Sequence, residues 1–169
     1  MSEAVVWQPA MANPQNKTVL AAYGRALADN GNFQRAFDVL TQAHTPEDPD
    51  WRILSAQGAV LDQLGKFEEA RQYYASALKI VPDEPSVLSN LGMSYLLSKD
   101  LAKAETVLGR AYEHAKSDPR LRMNFAVVLA LEGRLAEAED LLKADTPAEE
   151  GKARVAELKR LLLKKDAKG

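Results

Sequence analysis

Histidine is the residue of this sequence with the widest choice of chemistry, because imidazole can bind a metal ion or exchange a proton near neutral pH. There are two histidines, His44 and His114. His114 precedes Asp118 by four residues, a spacing that would place two metal ligands on one face of a helix. A helix-capping or solvated histidine explains the same spacing without a metal, and we favour it. The sequence therefore predicts no metal site.

Two adjacent glutamate pairs, Glu68-Glu69 and Glu149-Glu150, raise the question of acid–base catalysis. Neighbouring residues on a helix point in different directions. Such pairs are typical of a solvated face or of a first helical turn, where carboxylates interact favourably with the helix dipole. The sequence lacks a phosphate-binding glycine loop, a nucleophile elbow and a metalloprotease helix motif. We considered an enzyme, or its substrate-docking part, and predict instead a protein with no catalytic residues and no cofactor.

Composition argues against several other classes of function. The chain has 169 residues, no cysteine and a formal net charge of -2. Without cysteine there is no disulfide framework and no thiolate metal site. Without a basic excess we expect no nucleic-acid partner. No apolar run approaches the ~18–20 residues of a transmembrane helix, and residues 1–8 do not resemble a signal peptide.

The element that organises these residues is a repeat of 34 positions. Three series of small or apolar residues hold this spacing four times, and a fourth series fails only at Asp145. The period and the residue types resemble the tetratricopeptide repeat, a helix-turn-helix unit. The series are Gly24, Gly58, Gly92 and Ala126; Ala36, Ala70, Ala104 and Ala138; Phe33, Phe67, Leu101 and Leu135; and Ala43, Ala77 and Ala111.

The resemblance implies an all-α fold, a right-handed superhelix (α-solenoid) of four helix-turn-helix repeats plus a C-terminal capping helix. We place the repeats at 17–50, 51–84, 85–118 and 119–152. Residues 1–16 read either as the end of a truncated preceding repeat or as a leader. Residues 153–169 form the capping helix and tail, where Val155, Leu158 and Leu162 share one apolar face that would cover the last repeat.

The series also predict local geometry. Tiny residues should lie where paired helices cross, and Gly31, Gly65 and Gly133 should form tight turns with positive φ. The third repeat has Lys99-Asp100 there, so its turn is expected to differ slightly. Asp and Pro residues between repeats should cap the first helices; these are Asp48-Pro49, Asp83-Glu84-Pro85 and Asp118-Pro119.

First helices line the concave groove of such a solenoid, so the binding residues should lie there. A groove of mixed polarity with one flexible methionine suits an extended or helical peptide, although any one of these residues could simply be solvated. Chaperone-binding repeats clamp a C-terminal carboxylate with Lys and Asn, but Ala21 and Arg25 occupy those positions, which argues against such a clamp. The predicted groove residues are Arg25, Arg52, Ser55, Asp62, Ser89, Asn90, Met93, Arg120 and Asn124.

Three segments resemble a narrower family, the TadD-type lipoproteins of tight-adherence (Flp) pilus assembly. They run from Trp51 to Arg71, from Glu84 to Leu97 and from Arg122 to Glu139, and the Thr146-Pro147 cap with the following helix extends the resemblance. It implies a bacterial envelope scaffold that helps to assemble the pilus or its secretin. It also implies a periplasmic, outer-membrane-associated protein held by a lipid anchor, although this chain has no cysteine to carry one.

A second reading keeps the fold and changes the partner. The chain would then be a cytosolic adaptor or chaperone, in the cytoplasm, that binds a different peptide. Solenoids with uncapped ends can also pair, so a homodimer is a further possibility. Both readings share a protein or peptide partner in the concave groove.

Overall fold

This computed structural model describes residues 15–143 and, beyond them, the single positions Glu150, Ala153, Ala156, Glu157, Arg160 and Lys164. Within residues 15–143 every regular element is an α-helix, so the predicted all-α architecture is confirmed there. The predictions for residues 1–14, for the Thr146-Pro147 cap and for Val155, Leu158 and Leu162 lie outside the described residues. The helices are α1 Lys17–Asp29, α2 Phe33–Gln42, α3 Trp51–Gln63, α4 Phe67–Ile80, α5 Pro85–Leu97, α6 Leu101–His114, α7 Pro119–Leu131 and α8 Leu135–Lys143.

The helices fall into two compact units. The first ends at Pro82 and contains α1 to α4, and the second begins at Asp83 and contains α5 to α8. In the first unit α1 packs on α2, α2 on α3 and α3 on α4, and in the second α5 packs on α6, α6 on α7 and α7 on α8. The first helices of neighbouring repeats also touch within each unit, α1 with α3 and α5 with α7.

Glycine lies where paired helices cross, as the sequence predicted. A Cβ on Gly58 would lie 2.5 Å from Tyr74 Cε1, and a Cβ on Gly92 would lie 2.5 Å from Leu108 Cγ. Real Cβ contacts are longer, so only glycine lets these helix pairs approach. The side chain that fills the crossing comes from the second helix, sixteen residues after the glycine, and the buried alanines of α2, α4, α6 and α8 lie beside it.

The turn inside each repeat has the predicted left-handed residue. Gly31, Gly65 and Gly133 have φ values of 82°, 77° and 85°. The expectation of a different third turn is wrong, because Lys99 adopts φ 66° and its turn makes the same hydrogen bonds. Asp100 N donates to Tyr95 O at 2.9 Å, a bond that closes the helix end in a Schellman motif. Hydrogen bonding therefore holds lysine in a conformation that favours glycine.

Helix caps were predicted correctly at two of the three junctions. Glu84 caps α5 and Asp118 caps α7, each followed by proline at the first helical position. The prediction is wrong for Asp48-Pro49: the cap of α3 is Asp50, whose carboxylate accepts from Arg52 N at 2.8 Å. Asp48 instead donates its N–H to Thr45 O within the preceding turn.

Candidate protein-binding surface

Two adjoining clefts open on the surface that α1 and α3 form in the first unit. The polar cleft has a volume of about 410 Å³ and is lined by residues that include Lys17, Arg25, His44, Asp48, Trp51 and Arg52. The mainly apolar trough has a volume of about 490 Å³ and is lined by Arg25, Ala28, Asp29, Phe33, Leu40, Ala56, Ala59, Val60 and Gln63. Arg25 lines both, so its side chain stands between a charged site and an apolar one.

The cations of the polar cleft have no acidic partners among the residues that the structure describes. The Arg52 guanidinium lies 4.5 Å from the centroid of the Trp51 ring, a cation–π contact that leaves its hydrogen-bond donors available. Arg25 and Lys17 are exposed and form no ion pair within the described part of the chain. The acids of the same cleft are Asp48 and Asp50, and the Asp50 carboxylate is occupied as the cap of α3.

A chain of hydrogen bonds starts at His44, which lines the polar cleft. His44 Nδ1 accepts from Asp50 N at 3.2 Å, so this nitrogen carries no proton. His44 Nε2 must then donate to Gln57 Oε1, 3.0 Å away. Gln57, which is only 2% exposed, donates in turn to Thr41 Oγ1 at 3.1 Å, and Thr41 donates to Phe37 O at 2.8 Å. These bonds join α2 and the turn after it to α3, and they hold His44 in the lining of the cleft.

Two predicted groove residues of the first unit are buried. Ser55 and Asp62 are each 7% exposed. The Tyr74 hydroxyl donates to Asp62 Oδ2 at 2.8 Å. Burial, the Asp62 charge and this hydrogen bond raise the pKa of Tyr74 far above its ordinary value. Asp62 therefore joins α3 to α4 inside the repeat, and only Arg25 and Arg52 of the predicted set are presented here.

In the second unit, the structure brings two of the predicted residues together. Asn124 Nδ2 of α7 donates to Ser89 Oγ of α5 at 3.2 Å. Asn90 and Met93 are half-buried on α5, and Arg120 is exposed in the first turn of α7. Of the side chains named here, only that of Met93 is apolar.

Sequence reasoning missed Lys17, His44, Trp51 and the alanines of the trough. Trp51 was considered from the sequence only as the start of a segment that resembles TadD-type lipoproteins, and His44 only as a possible metal ligand. The available signal was the clustering of basic residues near the starts of α1 and α3, because the starts of stacked first helices lie side by side. The alanines gave no signal, since alanine is common in any helix.

The remaining chemistry-bearing residues serve the fold. His114 Nε2 lies 3.9 Å from Asp83 Oδ2, while Asp118 caps α7, so the two do not form a ligand pair. No group of three His, Asp or Glu side chains that could hold a metal ion occurs among the described residues. Within that same part of the chain, none of the helices has the length and apolar character needed to cross a membrane.

Paired helices that cross at glycine, with polar side chains presented by the first helices of each unit, define a helical-repeat protein. A family model for the tetratricopeptide repeat matches residues 52–117, and a second model of the same description matches residues 95–162. Together they cover the chain from residue 52 to residue 162. The chain therefore belongs to the tetratricopeptide-repeat family.

Solved structures of other proteins have a fold similar to that of this chain. A thermophilic repeat protein of Thermus thermophilus superposes with a TM-score of 0.78 at 20% identity, covering 92% of this chain and 88% of that one. MamA of Desulfovibrio magneticus superposes with a TM-score of 0.65 at 18% identity, covering 94% and 84%. The predicted tetratricopeptide-repeat fold class is thus confirmed.

Sequence similarity reaches a BBSome complex member, BBS4, of Bos taurus. The identity is 26% over 132 residues, which is 78% of this chain and 25% of that protein. The chain thus spans about a quarter of this relative.

Proposed function

We propose that this chain is a non-catalytic scaffold that binds a peptide segment of a partner protein on the surface formed by α1 and α3. The observation that carries the proposal is Arg25, an exposed cation between a polar cleft and an apolar trough. Binding sites for peptides combine apolar contact area with a few polar groups that fix orientation. One relative is by name a member of a protein complex, which supports an assembly role.

A charge-reversal experiment tests this surface. Arg25→Glu and Arg52→Glu each replace an exposed cation of the polar cleft. Lys79→Glu makes the same change on α4, away from both clefts, and serves as the matched control. Partner capture should fall with the first two variants and persist with the control, measured by quantitative mass spectrometry after affinity purification. Equal capture by all three variants would exclude this surface as the binding site.

The finer proposal is a role in assembling a Flp (Tad) pilus or its secretin. It rests on the resemblance of residues Trp51 to Arg71, Glu84 to Leu97 and Arg122 to Glu139 to TadD-type lipoproteins. The protein would then act in the periplasm, associated with the outer membrane. Deleting the gene in its source organism should abolish surface pili and mislocalise the secretin. Normal piliation in the deletion strain would remove this proposal and leave the general scaffold intact.

The alternative partner proposal is a cytosolic adaptor or chaperone with a different peptide ligand. Cell fractionation with an antibody to the native chain separates the two: an envelope fraction favours the pilus role and a cytoplasmic fraction favours the adaptor. Sedimentation at graded concentrations would show whether the chain also forms a homodimer.

A further inference from the structure

We infer that the surface around Arg25 recognises an internal peptide segment carrying a single carboxylate side chain close to a small apolar side chain. This rests on the proposed function, since it specifies the ligand of the same surface. The carboxylate would lie in the polar cleft, between Arg25, Arg52 and Lys17. The apolar side chain would lie in the trough, on the other side of Arg25.

Unused positive charge is the first argument for a carboxylate. Two exposed arginines of the second unit are neutralised by acids of the chain itself: Arg110 pairs with Asp83, and Arg134 pairs with Glu105 and Glu137. Arg25 and Arg52 have no such acid within the described residues. Guanidinium groups bind carboxylates through charge-assisted hydrogen bonds, the strongest class of polar contact that a groove of this kind can offer.

The number of charges points to one carboxylate rather than a cluster. Within the polar cleft, three cations, Lys17, Arg25 and Arg52, face two aspartates, Asp48 and Asp50, which leaves one positive charge in excess. The third acid of this surface, Asp29, lines the trough and not the polar cleft. A second ligand carboxylate would lie near Asp48 without a cation to compensate it. A C-terminal acidic residue would bring two carboxylates, so a single internal acidic side chain matches the cleft better than an acidic chain end.

The trough specifies the second part of the ligand. Ala28, Ala56 and Ala59 line it, and their short side chains leave space between α1 and α3 that larger residues would fill. Phe33 and Val60 complete an apolar wall. Burying one valine- or leucine-sized side chain there favours binding, against the cost of ordering the peptide. Arg25 borders both clefts, so the ligand chain passes over it.

Tryptophan fluorescence provides a direct readout of binding. Trp51 lines the polar cleft, and Trp7→Phe leaves it as the single tryptophan. The probes are short peptides blocked at both ends, with one glutamate and a valine placed one, two or three positions later. Matched probes carry glutamine for glutamate or serine for valine, and one further probe carries only a free C-terminal carboxylate.

The expected result is saturable quenching by at least one glutamate–valine probe. Replacing its glutamate by glutamine, or Arg25 by glutamine, should weaken binding about 10- to 100-fold, the range for loss of a charge-assisted hydrogen bond. Arg110→Gln, an arginine of the other unit, is the control and should leave binding unchanged. Ala59→Leu fills the trough, so it should remove the advantage of valine over serine and retain the requirement for glutamate.

Several outcomes would overturn the inference. Equal binding of glutamate and glutamine probes, or full binding to the Arg25→Gln variant, would remove the carboxylate site. Tighter binding of the C-terminal probe would make the ligand a chain end, and an absence of binding by every probe would remove the two-part ligand. Arg25→Glu could still abolish partner capture in each case, so the proposed scaffold function would survive. Loss of that effect too would overturn both.

Discussion

The Tyr74 hydroxyl donates a 2.8 Å hydrogen bond to the Asp62 carboxylate, and both side chains are buried between α3 and α4. Tyr74→Phe removes the donor and leaves the carboxylate in place. We expect the free energy of unfolding to fall by about 1–3 kcal/mol, the usual cost of removing a hydrogen-bond donor from a buried carboxylate. Urea unfolding followed by circular dichroism measures it. Tyr73→Phe is the control, because that hydroxyl has no hydrogen-bond partner among the described residues. Equal effects of the two variants would contradict this assignment.

The raised pKa of Tyr74 also predicts a dependence of stability on pH. The folded state holds the phenolic proton more tightly than the unfolded state, so the contribution of Tyr74 is complete below the unfolded pKa of about 10. Above that pH the unfolded chain loses the proton while the folded chain keeps it. The stability difference between the wild type and Tyr74→Phe should then shrink by about 1.4 kcal/mol per pH unit. Urea titrations at graded alkaline pH test this, and a constant difference across pH would show that Tyr74 ionises normally.

Glycines 92 and 109 should respond in opposite directions to alanine. A Cβ at Gly92 would lie 2.5 Å from Leu108 Cγ, whereas a Cβ at Gly109 would meet Phe125 Cζ at 3.6 Å, an ordinary contact. Gly92→Ala should destabilise the protein by about 1–3 kcal/mol through overpacking. Gly109→Ala should stabilise it by about 0.5–1 kcal/mol through higher helix propensity. Thermal unfolding of the two variants supplies the comparison, and a shared sign would contradict the crossing geometry.

Replacing Lys99 by glycine and Gly65 by lysine should change the free energy of unfolding in opposite directions. Both residues have positive φ and the same hydrogen bonds, but only lysine has a Cβ that opposes this conformation. Lys99→Gly should raise the free energy of unfolding by about 0.5–1 kcal/mol, net of the added chain entropy. Gly65→Lys should lower it by about 1–2 kcal/mol. Chemical denaturation measures both, and a destabilising Lys99→Gly would mean that the lysine side chain itself holds the turn.

Replacement of His44 should cost more than replacement of His114. His44 accepts from Asp50 N and donates to Gln57, a residue almost wholly buried. His44→Ala should therefore destabilise the protein by about 1–3 kcal/mol. His114→Ala, at a side chain that is half exposed, should cost less than about 0.5 kcal/mol. Denaturant unfolding ranks the two, and nitrogen NMR should find the Nε2-protonated tautomer of His44. A protonated Nδ1 at neutral pH would refute the hydrogen-bond chain.

The fold was predictable because very few residue types allow two helix backbones to pack closely or a turn to adopt positive φ. Gly58 and Gly92 recur at the repeat period for a steric reason, and Gly65 recurs for a conformational one. Lys99 was misjudged because the hydrogen bonds of the turn can hold a non-glycine residue in the left-handed region. Asp48 was mistaken for a cap because Asp50 offers the same side chain two residues later.

The candidate site was only partly predictable, because its geometry depends on side chains that do not repeat. Asp62 stands where the first and fourth repeats have alanine, and Tyr74 stands where the other three have leucine. Asp62 and Tyr74 therefore replace the usual residues of the same repeat and form a hydrogen bond with each other. The periodic pattern does not reveal this pairing. Arg25 and Arg52 were predicted as groove residues because they are charged residues on first helices. The trough beside them results from small side chains whose effect depends on packing.

Within each unit, the packing of each helix on the next along the chain has a consequence for how the protein acquires its structure. In each unit, every pair of helices in contact is either adjacent in sequence or separated by a single helix. Short sequence separations close small loops, so the entropy lost before contacts form is low and folding is fast. During synthesis α1 and α2 can pair before α3 has left the ribosome. The Arg25 surface needs only α3 in addition, so it can form before the second unit is translated.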